Sequence, residues 1–211
     1  MKKRVADARR IIRRKENLRR LLFDFIAAFM GVLIAMGLSN WQQNRKEDAF
    51  IKKSVISIYK DNVDNIESMK AQVADLKIHI DTFGFYKNNE SLTLIDVIRK
   101  NQYLKLQSLQ FGGWEILERS NLIYKLNYEV ASCLANLEDQ SDIIKARRKG
   151  VTDMLYNSTY STSCNDKKTI RVNLRGLLSA SNIFLERALL VDSLLEASYK
   201  KYIVADMLDV K

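Results

Sequence analysis

Leu21 to Trp41 reads LLFDFIAAFMGVLIAMGLSNW, 21 residues with a single charge at Asp24. A helix rises ~1.5 Å per residue, so this run just crosses a hydrocarbon core of roughly 30 Å. The strictly apolar part, Phe25 to Leu38, is shorter. The ends therefore lean on Trp41 as an interface anchor and on Arg19 and Arg20 as snorkelling cations. A cleaved signal peptide fits less well. Ala35 and Gly37 form only a weak small-x-small pair, no turn-former precedes them, and helical heptads follow directly. The expectation is a single transmembrane helix over residues 21–41.

Charge divides at this run. Residues 1–20 hold ten Lys/Arg and two acids, whereas the remaining 191 residues hold 25 basic and 23 acidic side chains. The overall +10 thus belongs to a tail, residues 1–20, and the rest is nearly neutral. Only five basic residues (Arg45, Lys46, Lys52, Lys53, Lys60) lie within twenty residues beyond the run. The bias places the N-terminus in the cytoplasm and the large C-terminal domain in the periplasm of a bacterial inner membrane. Within the tail, Arg9, Arg10, Arg13, Arg14, Arg19 and Arg20 are read as lipid and topology determinants, because basic side chains beside a membrane attract anionic lipid. A nucleic-acid partner is not expected. No aromatics are interleaved, and no base-reading fold is in sight.

Two features inside the run concern packing. Ala27, Gly31, Ala35 and Ser39 recur at steps of four, a small-residue stripe that lets a second helix approach closely. Asp24 has two open readings: an interfacial carboxylate paired with Arg20 or Arg19, or a polar membrane contact with a partner.

The whole chain has no proline and only seven glycines, which favours long helices beyond the membrane. Val55, Tyr59, Asn62, Ile66, Met69, Val73, Leu76 and Ile80 follow alternating steps of four and three, a coiled-coil or bundle seam. Asn62 either fixes register there or marks a stretch open to water. The predicted elements are a long helix over 42–82, a connector over 83–113 and a helix over 114–150. A polar loop over 157–168 and a last helix over 170–208 complete the domain. Within the connector, Ser91 is a candidate cap for a short helix. Ile116, Ile123, Leu126, Val130, Cys133, Leu137 and Ile144 form the apolar face of the third helix. Leu174, Leu177, Phe184, Ala188, Val191, Leu195 and Tyr202 form that of the last. The fold class is all-α: a transmembrane helix continuing into an extracytoplasmic bundle (42–211), with up-down packing the natural arrangement.

Chemistry is thin. The lone His79 lies on a heptad helix, and metal sites need several convergent ligands. Glu115 and Glu118 lack the helical histidines a di-iron bundle would add. No phosphate loop occurs, and no nucleophile has a base. No catalytic, cofactor-binding or metal-ligating residue is assigned, and neither a cofactor nor a small-molecule ligand is expected. Cys133 and Cys164 would lie in a disulfide-permissive compartment. They could bridge if the chain turns back at Gly150, or remain a core thiol and an exposed one.

The run GVLIAMGLSNWQQNRKE resembles the anchor of DUF6090-like single-pass membrane proteins of Bacteroidetes, a family of unknown function. Gly31, Leu33, Ala35, Asn40 and Trp41 match its pattern, and Met36 departs from it. The stretch GWEILERSNLIYKL is similar to the same family's W/Y-E-x-L-x-x-S motif through Trp114, Glu115, Leu117 and Ser120. Asn121 stands where that family commonly has glycine. The resemblance implies the membrane architecture and no activity.

These features lead to the expectation of a non-enzymatic structural or accessory subunit. It would homo-oligomerise or join an envelope complex through its transmembrane and heptad helices, in contact with membrane lipids. The alternative is a ligand-sensing bundle signalling through a membrane partner, with a pocket around Trp114, Tyr124 and Tyr128.

Overall fold

The computed structural model describes residues 2–101, 104 and 106–209, with side chains placed from 25 to 206 within those ranges. The chain is all-helical: 84% of it is helix, and no strand occurs among the described residues. The helices are α1 (Lys2–Phe85), α2 (Leu94–Arg99), α3 (Gly112–Arg119), α4 (Tyr128–Asn157) and α5 (Cys164–Asp209), with a 3-10 turn at Ile123–Lys125. Two compact units divide the chain, Met1–Phe50 and Ile51–Lys211.

The first unit is helix alone. Every described side chain from Phe25 to Lys46 is exposed. Phe25 and Phe29 stack one turn apart, centroids 6.3 Å apart.

The second unit is a bundle whose core draws on every helix in it: Val55, Met69 and Leu76 of α1, Val97 of α2, Leu117 of α3, Leu137 and Ile144 of α4, Phe184 and Val191 of α5. Cross-helix hydrogen bonds give the directions. Asn62 meets Ala188, Gln72 meets Ser181 and Arg171 meets Ile80, so α5 runs antiparallel to α1. Gln140 meets Ala180 and Arg187 meets Asn136, so α4 is also antiparallel to α5. Consecutive long helices α1 and α4 are therefore parallel, which simple up-down packing of three helices does not give. The connector supplies the missing return leg. Asn101 bonds Thr82 and Ile78 O, Gln110 bonds Asn65, and Gly113 bonds Asp61, each step further back along α1. Thr82 and Asn65 are ~25 Å apart at ~1.5 Å per residue. A helix could not cover that with the nine steps from Asn101 to Gln110, and Leu106–Gln110 accordingly carries no helix.

Element ends correct several expectations. Thr93, not Ser91, caps α2: its hydroxyl accepts from Asp96 N while the Asp96 carboxylate accepts from Thr93 N. The single helix expected over 114–150 is two. α3 ends at Arg119 because Ser120 Oγ bonds back to Leu117 O and Asn121 turns left-handed (φ 56°), a region asparagine enters at low cost. Asn127 then caps α4 by accepting from Glu129 N at 2.8 Å. Ile116, placed on the apolar face by sequence, is 55% exposed, and Trp114 and Leu117 point inward instead. α4 runs through Gly150 to Asn157, since one exposed glycine costs a helix only ~1 kcal/mol. α5 starts at Cys164, six residues before the expected 170, because Ser163 Oγ accepts from Asn165 N and Asp166 N.

Candidate functional site

The apolar segment comes first. One helix among the described residues is long and apolar enough to cross a membrane, and none of its apolar stretch is buried. Ala27, Gly31, Ala35 and Ser39 are all exposed, with open space where a Gly31 Cβ would stand. Trp41 is exposed, and the Arg45 guanidinium lies over its ring at 4.9 Å, a cation–π contact. Asp24 and the tail residues Arg9, Arg10, Arg13, Arg14, Arg19 and Arg20 lie outside the described side chains.

The seam is placed differently from a free assembly surface. Val55, Asn62, Ile66, Met69, Val73, Leu76 and Ile80 are buried, and Tyr59 is half-buried. Their burial is within the second unit, so the seam is occupied by the chain itself. Asn62 is not open to water: it is 2% exposed and donates to Ala188 O at 3.0 Å.

Beside the seam runs a polar row that the hydrophobic pattern did not identify. Asn65, Gln72 and His79 recur every seven residues and are all buried. Asn65 grips the connector with both ends of its amide, accepting from Gln110 N (2.8 Å) and donating to Gln110 O (2.7 Å). Gln72 donates to Ser181 Oγ (3.0 Å) and accepts from Arg148 Nη2 (2.6 Å). Polar residues at heptad spacing one position before apolar seam residues were the available signal.

Several polar groups are held inside the bundle. Lys167 is fully buried and donates to Asn89 O and to Thr162 O (2.8 Å), tying the turn after α1 to the start of α5. Tyr59 OH donates to Glu196 Oε1 (3.2 Å). Burial, that bond and the charges of Asp192 and Glu196 raise its pKa. Burial and the Glu196 charge also raise Asp192, with Asn62 and Lys70 opposing. His79 is 1% exposed with neither ring nitrogen hydrogen-bonded, and burial lowers its pKa while Asp75 pulls it up. Its Nε2 lies 3.7 Å from Asp75 Oδ1.

The residues of the Trp114–Ser120 stretch are divided between core and surface. Trp114 is buried and its indole donates to Glu138 Oε2 at 2.8 Å. Leu117 is fully buried, whereas Glu115 is exposed near Arg119. Burial and the charges of Glu138 and Glu115 raise the Glu118 pKa. Tyr124 and Tyr128 are 74% and 83% exposed, so they do not close a pocket with Trp114.

The possible Cys133–Cys164 bridge is not formed; both thiols are free. The chain does not turn at Gly150. Asn136 lies against Arg187, so Cys133 sits level with α5 residues roughly 35–40 Å beyond Cys164.

The class defined is thus a helical bundle joined to a membrane-length apolar helix. No protein family, curated protein or solved structure matches the chain.

Proposed function

We propose that this chain is a non-enzymatic, membrane-anchored accessory or structural subunit, associating through the small-residue stripe of its apolar helix. One observation carries the reading. Ala27, Gly31, Ala35 and Ser39 are uncovered while the heptad seam is filled from within. Without a hydrophobic drive between helices in lipid, close approach at small residues is what favours association. The partner helix belongs to a second copy or to another envelope protein. The commitment of Lys167, Gln72, Arg148 and Tyr59 to internal bonds supports a scaffold more than a reaction centre.

The charge bias supports a basic tail in the cytoplasm against anionic lipid and a bundle in the periplasm. A reporter that matures only outside the cytoplasm, fused after Lys211, is expected to be active; an inactive fusion reverses the orientation. For the stripe, Gly31→Leu is expected to shift the full-length protein to a smaller species in native mass spectrometry from its own membrane. An unchanged assembly removes the stripe from the reading.

A further inference from the structure

Two buried side-chain oxygens where α1 meets α5 have no hydrogen-bond donor among the described residues: Asn62 Oδ1 and Asp192 Oδ1. Buried acceptors are nearly always paired, so two of them together call for a positive partner. The helices bring them together. Ala188, Asp192 and Glu196 recur every four residues along one face of α5. Asn62 donates to Ala188 O (3.0 Å), and Tyr59 OH donates to Glu196 Oε1 (3.2 Å). Asp192 therefore stands between two points at which α1 touches α5, with the Asn62 amide against its carboxylate.

The oxygens belong to hard donors. Asp192 and Glu196 are carboxylates one turn apart, and the Glu196 charge adds to burial in disfavouring the ionised Asp192; the Asn62 amide and the Lys70 charge oppose this. Asn62 is 2% exposed, Asp192 is half-buried and Glu196 is open to solvent. Protein thus walls one side and water reaches the other. No three His, Cys, Asp or Glu side chains converge as a metal set among the described residues, so no imidazole or thiolate set selects a transition metal here. Carboxylate and amide oxygens in an irregular, partly hydrated arrangement suit calcium, whereas magnesium demands near-ideal octahedral geometry.

We propose that Asn62 Oδ1, Asp192 Oδ1 and the second Glu196 oxygen hold one calcium ion, with water completing its shell, and that the ion pins α5 to α1. This goes beyond the accessory-subunit reading and stands whether or not the apolar stripe associates.

The test uses the full-length protein in detergent, stripped with EDTA. Terbium, a calcium mimic, should give emission sensitised by Tyr59 that calcium displaces and that Asp192→Asn abolishes. A site with few carboxylates binds calcium with a Kd of about 0.1–1 mM, so about 10 mM calcium should raise the melting temperature by roughly 3–11 °C. Glu196→Gln, at an exposed position, should weaken calcium binding about tenfold; unchanged far-UV circular dichroism confirms that both variants fold. Absence of calcium-displaceable emission overturns the proposal. So does an equal thermal rise with magnesium, which is the effect of salt, or a calcium response unchanged in both variants. Stabilisation of the wild type by mild acid and not by calcium also overturns it, because a proton and not a cation then joins the two oxygens. None of these outcomes alters the Gly31→Leu result, so the two readings fail separately.

Discussion

Gly113→Ala should destabilise the bundle, and Gly112→Ala should not. At Gly113, the second residue of α3, an added Cβ would stand 2.6 Å from Ile58 N, 2.9 Å from Ser57 Cβ and 3.0 Å from Ser57 C. Non-bonded heavy atoms settle at roughly 3.5 Å, so α3 would retreat by about 0.9 Å. The bond from Gly113 N to Asp61 Oδ2, now 2.8 Å, would then lengthen to about 3.7 Å and be lost. Overpacking costs ~1–3 kcal/mol, and a hydrogen bond to a charged group contributes ~1.5–3 kcal/mol. Alanine's helix propensity returns at most ~1 kcal/mol. The net is about 1.5–5 kcal/mol of destabilisation. At ~2–4 °C per kcal/mol for a unit of this size, the melting temperature falls by roughly 3–20 °C. At Gly112 the nearest atom is Asp61 Oδ2 at 3.8 Å, an ordinary contact, so alanine there changes stability by less than about 1 kcal/mol in either direction. Far-UV circular dichroism melts of both variants of the full chain in detergent separate the cases. If Gly113→Ala melts with the wild type, the close approach of α3 to α1 is not what positions Trp114 and Leu117.

Two further outcomes follow from single residues. His79, lowered from 6.5 by burial, takes up a proton more readily when unfolded, so its contribution is present above about pH 6.5 and lost as pH falls through the folded value. His79→Leu should flatten the fall in melting temperature between about pH 7 and 5; an unchanged slope assigns that fall to other groups. Gly150→Ala places a Cβ in open space inside α4 and should stabilise by about 0.5–1 kcal/mol, read from the same melts; a lower melting temperature would mean that α4 does not continue through this position.

The extent to which the sequence was legible differs from one element to the next. The α1 seam was readable because periodicity survives in one dimension: apolar residues at steps of four and three must share a face whatever covers it. The break at Asn121 was not readable. Serine followed by asparagine is also ordinary helix surface, and only the docking of Trp114 and Leu117 against α1 and α4 selects the left-handed turn there. Gly150 misled for the converse reason, since a glycine ends a helix only if the packing asks for it, and α4 packs on past it to Val151. The disulfide expectation failed with that turn.

The sequence by itself determined the membrane-length apolar helix, the all-helical class and which faces are apolar, because each follows from local hydropathy and helix geometry. Tertiary structure alone decided that the seam is filled from within, that Asn65, Gln72 and Arg148 bind elements together, and that α1 and α4 are parallel because the connector is anchored back along α1 at Asn65 and Asp61. Those outcomes depend on which surfaces meet. A polar side chain is read as solvent-facing until a partner more than forty residues away, such as Gln110 for Asn65, takes both of its hydrogen bonds.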